Sequence, residues 1–204
     1  MPRGFTSHQT QAIDQKLVSF AMSMIRETGV RKTTINQLAQ AANISAGAFY
    51  HFYPSKEGLF FKVYEVLEDR IKQELFQQIA LIKEGNITDL KKILLNLLAS
   101  ENMRDLLTII QKEDLDYILM NIDPVIINKH QQEDILYMNT LIEKLSDIGF
   151  HPKTEPGLIL AYTQALFNLC YEKDQFLSYS NRIIDSFLTA MLADLLSVPA
   201  NNQI

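Results

Sequence analysis

The sequence predicts an all-α protein, and three observations support that fold class. Glycine and proline are scarce, with seven glycines and six prolines in 204 residues, about half of their average usage. Apolar residues recur at helical spacings along most of the chain, and no stretch shows the alternation typical of a strand. Gly29, Gly85 and Gly149 each follow an amphipathic stretch, as glycines do just past a helix end. Pro124 and Pro156 stand where they suit the first turn of a helix.

A long first helix and a short second helix are predicted near the N-terminus. Apolar residues at positions 13, 17, 20, 21, 24 and 25 share one helical face, and Gly29 would end this first helix. Thr34 and Gln37 have the spacing of a capping box, so the second helix is predicted to begin at Ile35.

A tight turn and a third helix follow. Asn43 tolerates a left-handed backbone, and Ser45 can cap a short helix at about 46–51. Two short helices joined by such a turn and packed on a longer helix form a helix-turn-helix. The second helix of this motif lies in the major groove of DNA.

The segment TTINQLAQAANISAGAFYHFYPSKEGL at 33–59 resembles the DNA-binding domain of the TetR/AcrR family of bacterial transcriptional repressors. The run FYHF at 49–52, followed by SKEGL at 55–59, is the most specific part, and the resemblance covers about residues 9–65. Two positions depart from the family pattern: Asn43 stands where many relatives have glycine, and Tyr53 stands where phenylalanine is usual.

The resemblance implies two domains. A helix-turn-helix DNA-binding domain of three helices would occupy residues 1–54, and a helical ligand-binding and dimerisation domain would occupy residues 55–204. A helix from about 55 to 83 would connect them. The apolar pattern indicates further helices at about 89–100, 103–112, 124–148, 156–172 and 175–197.

The residues expected to contact DNA lie in and around the helix-turn-helix. They are Thr33, Thr34, Ser45, Gly47, Ala48, Tyr50, His51 and Lys56. The small residues at 46–48 let the backbone approach base edges, but none can form a bidentate bond to a base. Sequence reading would therefore depend on a thymine methyl against Ala48, on Ser45, on the Gln37 side of the preceding helix, or on DNA shape. Lys56 opens a helix and suits a phosphate, as do Thr33 and Thr34.

Simpler roles are open for several of these positions. Thr34 is a helix cap first, and a phosphate contact is a compatible second use. Arg31 and Lys32 could supply further attraction for DNA or could form a solvated loop. Phe49 and Phe52 are expected in the core.

The charge distribution favours an anionic partner at the N-terminal third. Residues 1–65 carry seven basic and four acidic side chains, whereas the other residues carry twelve basic and twenty acidic ones. The net charge of −5 for the whole chain conceals this asymmetry.

Wide apolar stripes on the last two predicted helices indicate a homodimer. Stripes this broad exceed what one neighbouring helix covers, so two copies would form a four-helix bundle. A monomer that buries both stripes internally is the alternative. The expected dimerisation residues are Leu158, Tyr162, Leu166, Ile184, Phe187, Leu188, Met191 and Leu195.

The middle of the chain is where the resemblance places a small-molecule pocket. Its apolar residues with a few polar tips suit a largely hydrophobic effector, although core filling explains any single one of them better. The expected lining residues are Phe76, Met103, Leu107, Tyr117, Met120, Tyr137, Met138 and Leu141. Their spacing does not identify the ligand.

Catalytic and metal-binding patterns are weak. His130, Glu133 and Asp134 have the spacing of some metal ligands, but a solvated charged face explains them better. Cys170 lies in an apolar helix and is expected to be a small buried hydrophobe. The sequence has no phosphate-binding loop, nucleophile elbow or paired-histidine zinc motif. We therefore predict no metal, no cofactor and no enzymatic activity.

The chain is expected to be cytoplasmic. It has one cysteine, a start at 1–16 without the apolar stretch of a secretory signal, and no apolar run near the roughly 18 residues of a membrane helix. The sequence thus predicts a ligand-responsive transcriptional regulator, a repressor released from a palindromic double-stranded DNA operator by a small apolar molecule. The alternative is a helical ligand carrier or enzyme that retains the helix-turn-helix as a scaffold.

Overall fold

The computed structural model describes residues 5–83, 86–111, 113–153, 156–171 and 178–197. These residues form ten α-helices and one pair of very short strands, which confirms the predicted all-α class. The chain divides into two compact units. Unit 1 comprises Met1–Asp69 and Thr108–Ile127, and unit 2 comprises Arg70–Leu107 and Asn128–Ile204.

Unit 1 begins with the three predicted helices: α1 (Ser7–Glu27), α2 (Ile35–Ala41) and α3 (Ala46–Phe49). The first part of α4 (Lys56–Ile79), the end of α6 (Glu101–Gln111), all of α7 (Asp114–Met120) and the start of α8 (Pro124–Asp147) complete the unit.

Local signals fix the helix ends in unit 1. Thr34 and Gln37 form the predicted capping box, and α2 begins at Ile35 as expected. Gly29 has φ 78° and Asn43 has φ 57°, so both take the left-handed backbone that ends a helix. The prediction for Asn43 is confirmed, which explains how this chain dispenses with a glycine in the turn.

The core of unit 1 is formed by apolar side chains at helical spacing. Phe49 on α3 and Phe60 on α4 are fully buried, as is Ile118 on α7. Truncating a buried phenylalanine typically costs about 3 to 5 kcal/mol. The other buried apolar residues of the unit are Leu17, Ala21, Met24, Ile25, Val30, Leu38, Ala39, Ala42, Leu59, Phe61, Val63, Leu67 and Ile109.

Unit 2 contains the rest of α4, most of α6 and α8, and three complete helices: α5 (Ile87–Ala99), α9 (Pro156–Tyr171) and α10 (Ser180–Leu195). Helix α10 packs against α9 and α5. The strands β1 (His151–Pro152) and β2 (Leu196–Ser197) pair antiparallel. The sequence predicts no strand, because two residues are too few to show alternation.

Several helix boundaries differ from the predicted ones. Helix α4 ends at Ile79 rather than 83, and α10 begins at Ser180 rather than 175. Helix α7 is absent from the sequence prediction, because seven residues are too few to display a helical period. Gly149 has φ 90° as expected, whereas Gly85 lies outside the described residues. The division into units also differs from the predicted boundary at 54/55, because α4 spans residues of both units and 108–127 belongs to unit 1.

Within the described part of the chain, no helix has both the length and the apolar character needed to cross a bilayer.

Candidate nucleic-acid interface

An open groove of about 410 Å³ lies in unit 1 between the loop before α2 and the start of α4. Four residues that the sequence assigns to DNA contact, Thr33, Thr34, Tyr50 and Lys56, line this groove. The structure thus brings together positions that are up to 23 residues apart. The other lining residues are Arg31, Ile35, Pro54, Ser55 and Glu57.

Helix α3 presents a small and open surface beside the groove. The Ser45 hydroxyl caps the helix by accepting a hydrogen bond from the Ala48 N–H at 3.1 Å. Gly47 is exposed, and a Cβ built on it would meet only the Ser45 hydroxyl oxygen, at 3.9 Å. Ala48 is half-buried, whereas Phe49 is fully buried and holds the helix on the core. Among the described residues of unit 1, none therefore blocks a close approach to the backbone at Gly47.

Tyr50 and His51 follow α3 and face solvent. Tyr50 is 56% exposed while its ring contacts the edge of the Phe49 ring, with centroids 5.7 Å apart. His51 is also exposed. Both polar tips are thus available to a partner, as the sequence predicts, while the neighbouring Phe52 is half-buried and contacts the Phe5 ring at 5.8 Å.

The two threonines before α2 have different roles. Thr34 is exposed and its hydroxyl both accepts from the Gln37 N–H at 3.3 Å and contacts Gln37 Oε1 at 2.9 Å. Thr33 is only 1% exposed, and its hydroxyl donates to the Gly29 carbonyl oxygen at 2.8 Å. The Thr33 hydroxyl is thus already bound within unit 1, at the loop after α1, and the expected phosphate contact of Thr33 stays a prediction.

Lys56 lies at the wall of the groove, and its side chain is held by other groups of unit 1. Its Nζ donates to the Arg31 carbonyl oxygen at 3.3 Å and lies 3.9 Å from Glu57 Oε1. The side chain keeps 14% exposure. The Ser55 hydroxyl accepts from the Gly58 N–H at 3.0 Å, which caps the start of α4. The first backbone N–H groups of α4 have no acceptor within the helix, which suits an anion.

Helix α7 contributes contacts that the sequence does not predict. The Asp114 carboxylate is buried and accepts from the Val30 N–H at 2.9 Å, across 84 residues of sequence. The Tyr117 hydroxyl donates to Glu57 Oε1 at 2.8 Å. This hydrogen bond is the main reason that the pKa of Tyr117 is raised. Glu113, which precedes the helix, has φ 54°, a backbone region that non-glycine residues rarely adopt.

A hydrogen bond from the half-buried Tyr53 joins the turn after α3 to α1. The Tyr53 hydroxyl donates to Asp14 Oδ1 at 2.5 Å. Burial is the largest cause of a strongly raised Tyr53 pKa, and the hydrogen bond to Asp14 adds to it. The departure from the usual phenylalanine therefore gains a hydrogen bond within unit 1, which a sequence alone does not reveal because Asp14 lies 39 residues away.

The expected ligand-lining residues do not form one set. Phe76 and Tyr137 lie together in unit 2 with ring centroids 5.0 Å apart. Met103 and Leu107 are buried in unit 2, and Met138 and Leu141 are half-buried there. Tyr117 and Met120 belong to unit 1, and Met120 is 84% exposed. The Tyr117 hydroxyl binds Glu57 and Met120 faces solvent, so these two residues differ from the expected lining residues of unit 2 in their unit and in their surroundings.

The expected dimerisation residues fall into a buried group and a more exposed group. Leu166, Leu188, Met191 and Leu195 are buried within the single chain, with Leu188 at 0% exposure, so they have no surface to offer a second copy. Leu158 is 40% exposed, and Tyr162, Ile184 and Phe187 are half-buried. The apolar stripes are broad because one side of each helix fills the core of unit 2 while the other retains exposure.

The charged face at the start of α8 is paired within unit 2. Lys72 Nζ lies 2.6 Å from Asp134 Oδ1, His130 Nε2 lies 3.5 Å from Asp134 Oδ2, and Lys129 lies 3.4 Å from Glu133. Cys170 is 4% exposed, which confirms its predicted burial.

Comparisons with known proteins agree with this geometry. Residues 17–63 match the family model described as bacterial regulatory proteins, tetR family. The chain is 28% identical over 95 residues to the HTH-type transcriptional regulator AcrR of Shigella flexneri, which spans 47% of this chain and 44% of that protein. It is 33% identical over 75 residues to the nucleoid occlusion factor SlmA of Haemophilus ducreyi, spanning 37% and 34% respectively. The chain thus aligns with less than half of the length of these curated relatives.

The likeness in fold extends further than the likeness in sequence. The solved structure of SmeT, the repressor of the Stenotrophomonas maltophilia multidrug efflux pump SmeDEF, superimposes with a TM-score of 0.61 at 16% identity, covering 96% of this chain and 98% of that one. A sequence identity this low supports a likeness in fold only. The segment at 17–63, which contains the helix-turn-helix, is thus similar in sequence to regulators of the tetR family, and nearly the whole chain shares the fold of SmeT.

Proposed function

We propose that this protein is a DNA-binding transcriptional regulator, a repressor that leaves its operator when a small apolar molecule binds. The observation that carries the proposal is the groove of unit 1, where Lys56, Thr34 and Tyr50 adjoin the open surface of α3 at Gly47. A cation and a helix start suit a phosphate, and a helix without bulky side chains suits the major groove. We place this action in the cytoplasm, where an operator is accessible.

The proposal includes a homodimer. Leu158, Tyr162 and Phe187 keep apolar surface exposed on α9 and α10, and the Tyr162 and Phe187 rings lie 5.9 Å apart. A second copy related by a two-fold axis would cover this outer side and present two α3 helices to two half-sites. The operator would then be a palindromic duplex. Large exposed apolar clusters on monomeric proteins commonly mark such interfaces.

Response to an effector is supported by the path of the chain. The backbone passes between the two units within α4, and it does so again at 107/108 and 127/128. A ligand in unit 2 that favours one arrangement of these segments would therefore alter unit 1. Such coupling is typically worth about 1 to 3 kcal/mol, which weakens DNA binding about 5- to 150-fold.

DNA binding is tested by fluorescence anisotropy with a duplex from immediately upstream of the coding sequence, titrated at several salt concentrations. Lys56→Ala should weaken binding to every duplex and lower the salt slope by about 0.9 for each phosphate that is no longer neutralised. Substitutions of Ala48 should instead change which duplex is preferred. Absence of salt-sensitive DNA binding by the wild-type protein would leave the scaffold alternative, a ligand carrier or enzyme.

Effector coupling is tested with the apolar dye ANS as the probe. If ANS binding weakens DNA affinity, DNA must weaken ANS affinity by the same factor, because coupling between two sites is reciprocal. Equal ANS affinity with and without DNA would show that this dye does not report an effector site.

A further inference from the structure

We propose that Tyr117 is a positioning residue for DNA binding, whose ring face holds the Lys56 and Arg31 cations beside the groove. The inference rests on the proposed function, because it concerns how the phosphate-binding cation is held. The Lys56 Nζ lies 5.9 Å from the centroid of the Tyr117 ring, and the Arg31 guanidinium carbon lies 5.2 Å from it. Cations within about 6 Å of an aromatic face are attracted by its quadrupole.

The contact matters because a lysine side chain is flexible. Free in solvent, its ammonium samples many rotamers, and ordering it on a phosphate reduces affinity. Here the Tyr117 ring and the Arg31 carbonyl oxygen, 3.3 Å from Nζ, restrict Lys56 before any DNA arrives. Tyr117 therefore contributes affinity without touching the nucleic acid.

The Tyr117 hydroxyl also reduces competition from Glu57, whose carboxylate lies beside the expected phosphate position. A carboxylate next to Lys56 competes with phosphate for the ammonium, and the two groups are 3.9 Å apart. The Tyr117 hydroxyl donates to the same carboxylate oxygen at the shorter distance of 2.8 Å. Glu57 is thus held by a neutral donor, and the lysine keeps capacity for the phosphate.

Helix α7 is anchored firmly enough to place this ring. The buried Asp114 accepts from the Val30 N–H at 2.9 Å, and Ile118 is fully buried in unit 1. The Arg31 Nη2 also donates to the Glu113 carbonyl oxygen at 3.4 Å. These contacts bracket Tyr117 on both sides, so the ring position is set by the packing of α7 on the loop after α1.

The test measures DNA affinity of the full chain by anisotropy with an upstream duplex of about 30 base pairs. Tyr117→Ala should weaken binding about 3- to 30-fold, the effect expected when one aromatic face releases two cations. Tyr117→Phe keeps the ring and should stay within about 3-fold of wild type. In a Lys56→Ala background, Tyr117→Ala should weaken binding by a smaller factor than it does in the wild type, because only the Arg31 cation is left for the ring to position.

Tyr64→Phe is the matched control. Its hydroxyl donates to Glu68 Oε1 at 2.5 Å on α4, outside the groove, and its removal should leave DNA affinity unchanged. Thermal melts establish that each variant folds, and Tyr117→Leu replaces Tyr117→Ala if the smaller side chain unfolds unit 1, since leucine packs without offering a ring face.

Three results would overturn the inference while leaving the proposed function intact. These are unchanged affinity in Tyr117→Ala, full additivity with Lys56→Ala, and tighter binding in Tyr117→Ala. The last would mean that α7 withholds the lysine from DNA. Failure of the wild-type protein to bind any duplex would instead overturn the proposed function, and this inference with it.

Discussion

Two hydrogen bonds of unit 1 join buried polar side chains to backbone atoms, whereas two hydrogen bonds between helices of unit 2 lie at exposed positions. Asp114 binds the Val30 N–H, and Thr33 binds the Gly29 carbonyl, both in buried surroundings. In unit 2, Lys91 binds Thr189 and Tyr162 binds Asp194 at exposed positions.

The difference in burial implies a difference in energetic weight. Removing a buried partner leaves an unsatisfied group and costs about 1 to 3 kcal/mol, whereas an exposed charged pair is worth about 0 to 1 kcal/mol. Unit 1 therefore uses buried hydrogen bonds to fix the backbone of the loop at 29–34 beside the groove. The exposed hydrogen bonds of unit 2 are expected to contribute less stability than its apolar packing.

The largest expected effect tests whether unit 2 depends on its apolar core. Leu188→Asp should reduce the free energy of unfolding by about 4 kcal/mol or more, because it buries an unpaired charge at a fully buried position. Phe187→Asp, at the adjacent half-buried position, should change stability by less than about 1 kcal/mol and shift sedimentation toward the monomer. Urea unfolding and analytical ultracentrifugation measure the two effects. Equal destabilisation by both substitutions would contradict this division of α10.

The second-largest expected effect tests the buried hydrogen bond between Asp114 and Val30 in unit 1. Asp114→Ala should destabilise the protein by about 2 kcal/mol, because the Val30 N–H loses its acceptor in a buried place. Asp114→Asn retains an oxygen acceptor and should recover most of this loss. Thermal unfolding of the three proteins makes the comparison. If Asp114→Ala unfolded at the wild-type temperature, the buried hydrogen bond between Asp114 and Val30 would contribute no more to stability than an exposed one.

A smaller effect on stability is expected at the surface of α3. Gly47→Ala should leave stability unchanged or raise it by up to about 1 kcal/mol, because a Cβ has open space and alanine favours helices. DNA affinity should fall at least about fivefold, since the methyl group occupies the surface that would face base edges. Gly157→Ala near the start of α9 is the matched control, where a Cβ also has open space. Only the unit 1 variant should lose DNA affinity, and a loss in both would argue against a role for α3.

The smallest effect concerns alkaline pH and Tyr53. Its pKa is raised in the folded protein, mainly by burial and then by the hydrogen bond to Asp14. The folded state thus keeps the phenol proton more tightly than the unfolded state. The resulting stability is present below the ordinary tyrosine pKa of about 10 and is lost as pH rises above it. Tyr53→Phe should therefore show a shallower fall in melting temperature above pH 10 than wild type. Parallel curves for the two proteins would show that the tie to Asp14 adds no pH dependence.

Local signals in the sequence were sufficient for the helix-turn-helix. The capping box at Thr34 and Gln37, the left-handed Asn43 and the Ser45 cap each depend on residues within three positions of one another, so their geometry can be read along the chain. The exposed polar tips of Tyr50 and His51 follow from the same short segment. The all-α class is also a local property, because helical spacing of apolar residues specifies it.

Only the tertiary structure decided which side chain contacts which partner when the two residues are far apart in the sequence. The tertiary structure places the Thr33 hydroxyl on the Gly29 carbonyl oxygen, buries Leu188 and brings the Tyr117 ring beside Lys56, and the sequence indicates none of these contacts. Helical periodicity reveals that a face is apolar but not what covers it. A hydrogen bond between Asp114 and Val30, 84 residues apart, leaves no mark on either local pattern. The sequence by itself therefore determined helix α3 and its cap, and the packing of α7 determined which groups contact the cations beside that helix.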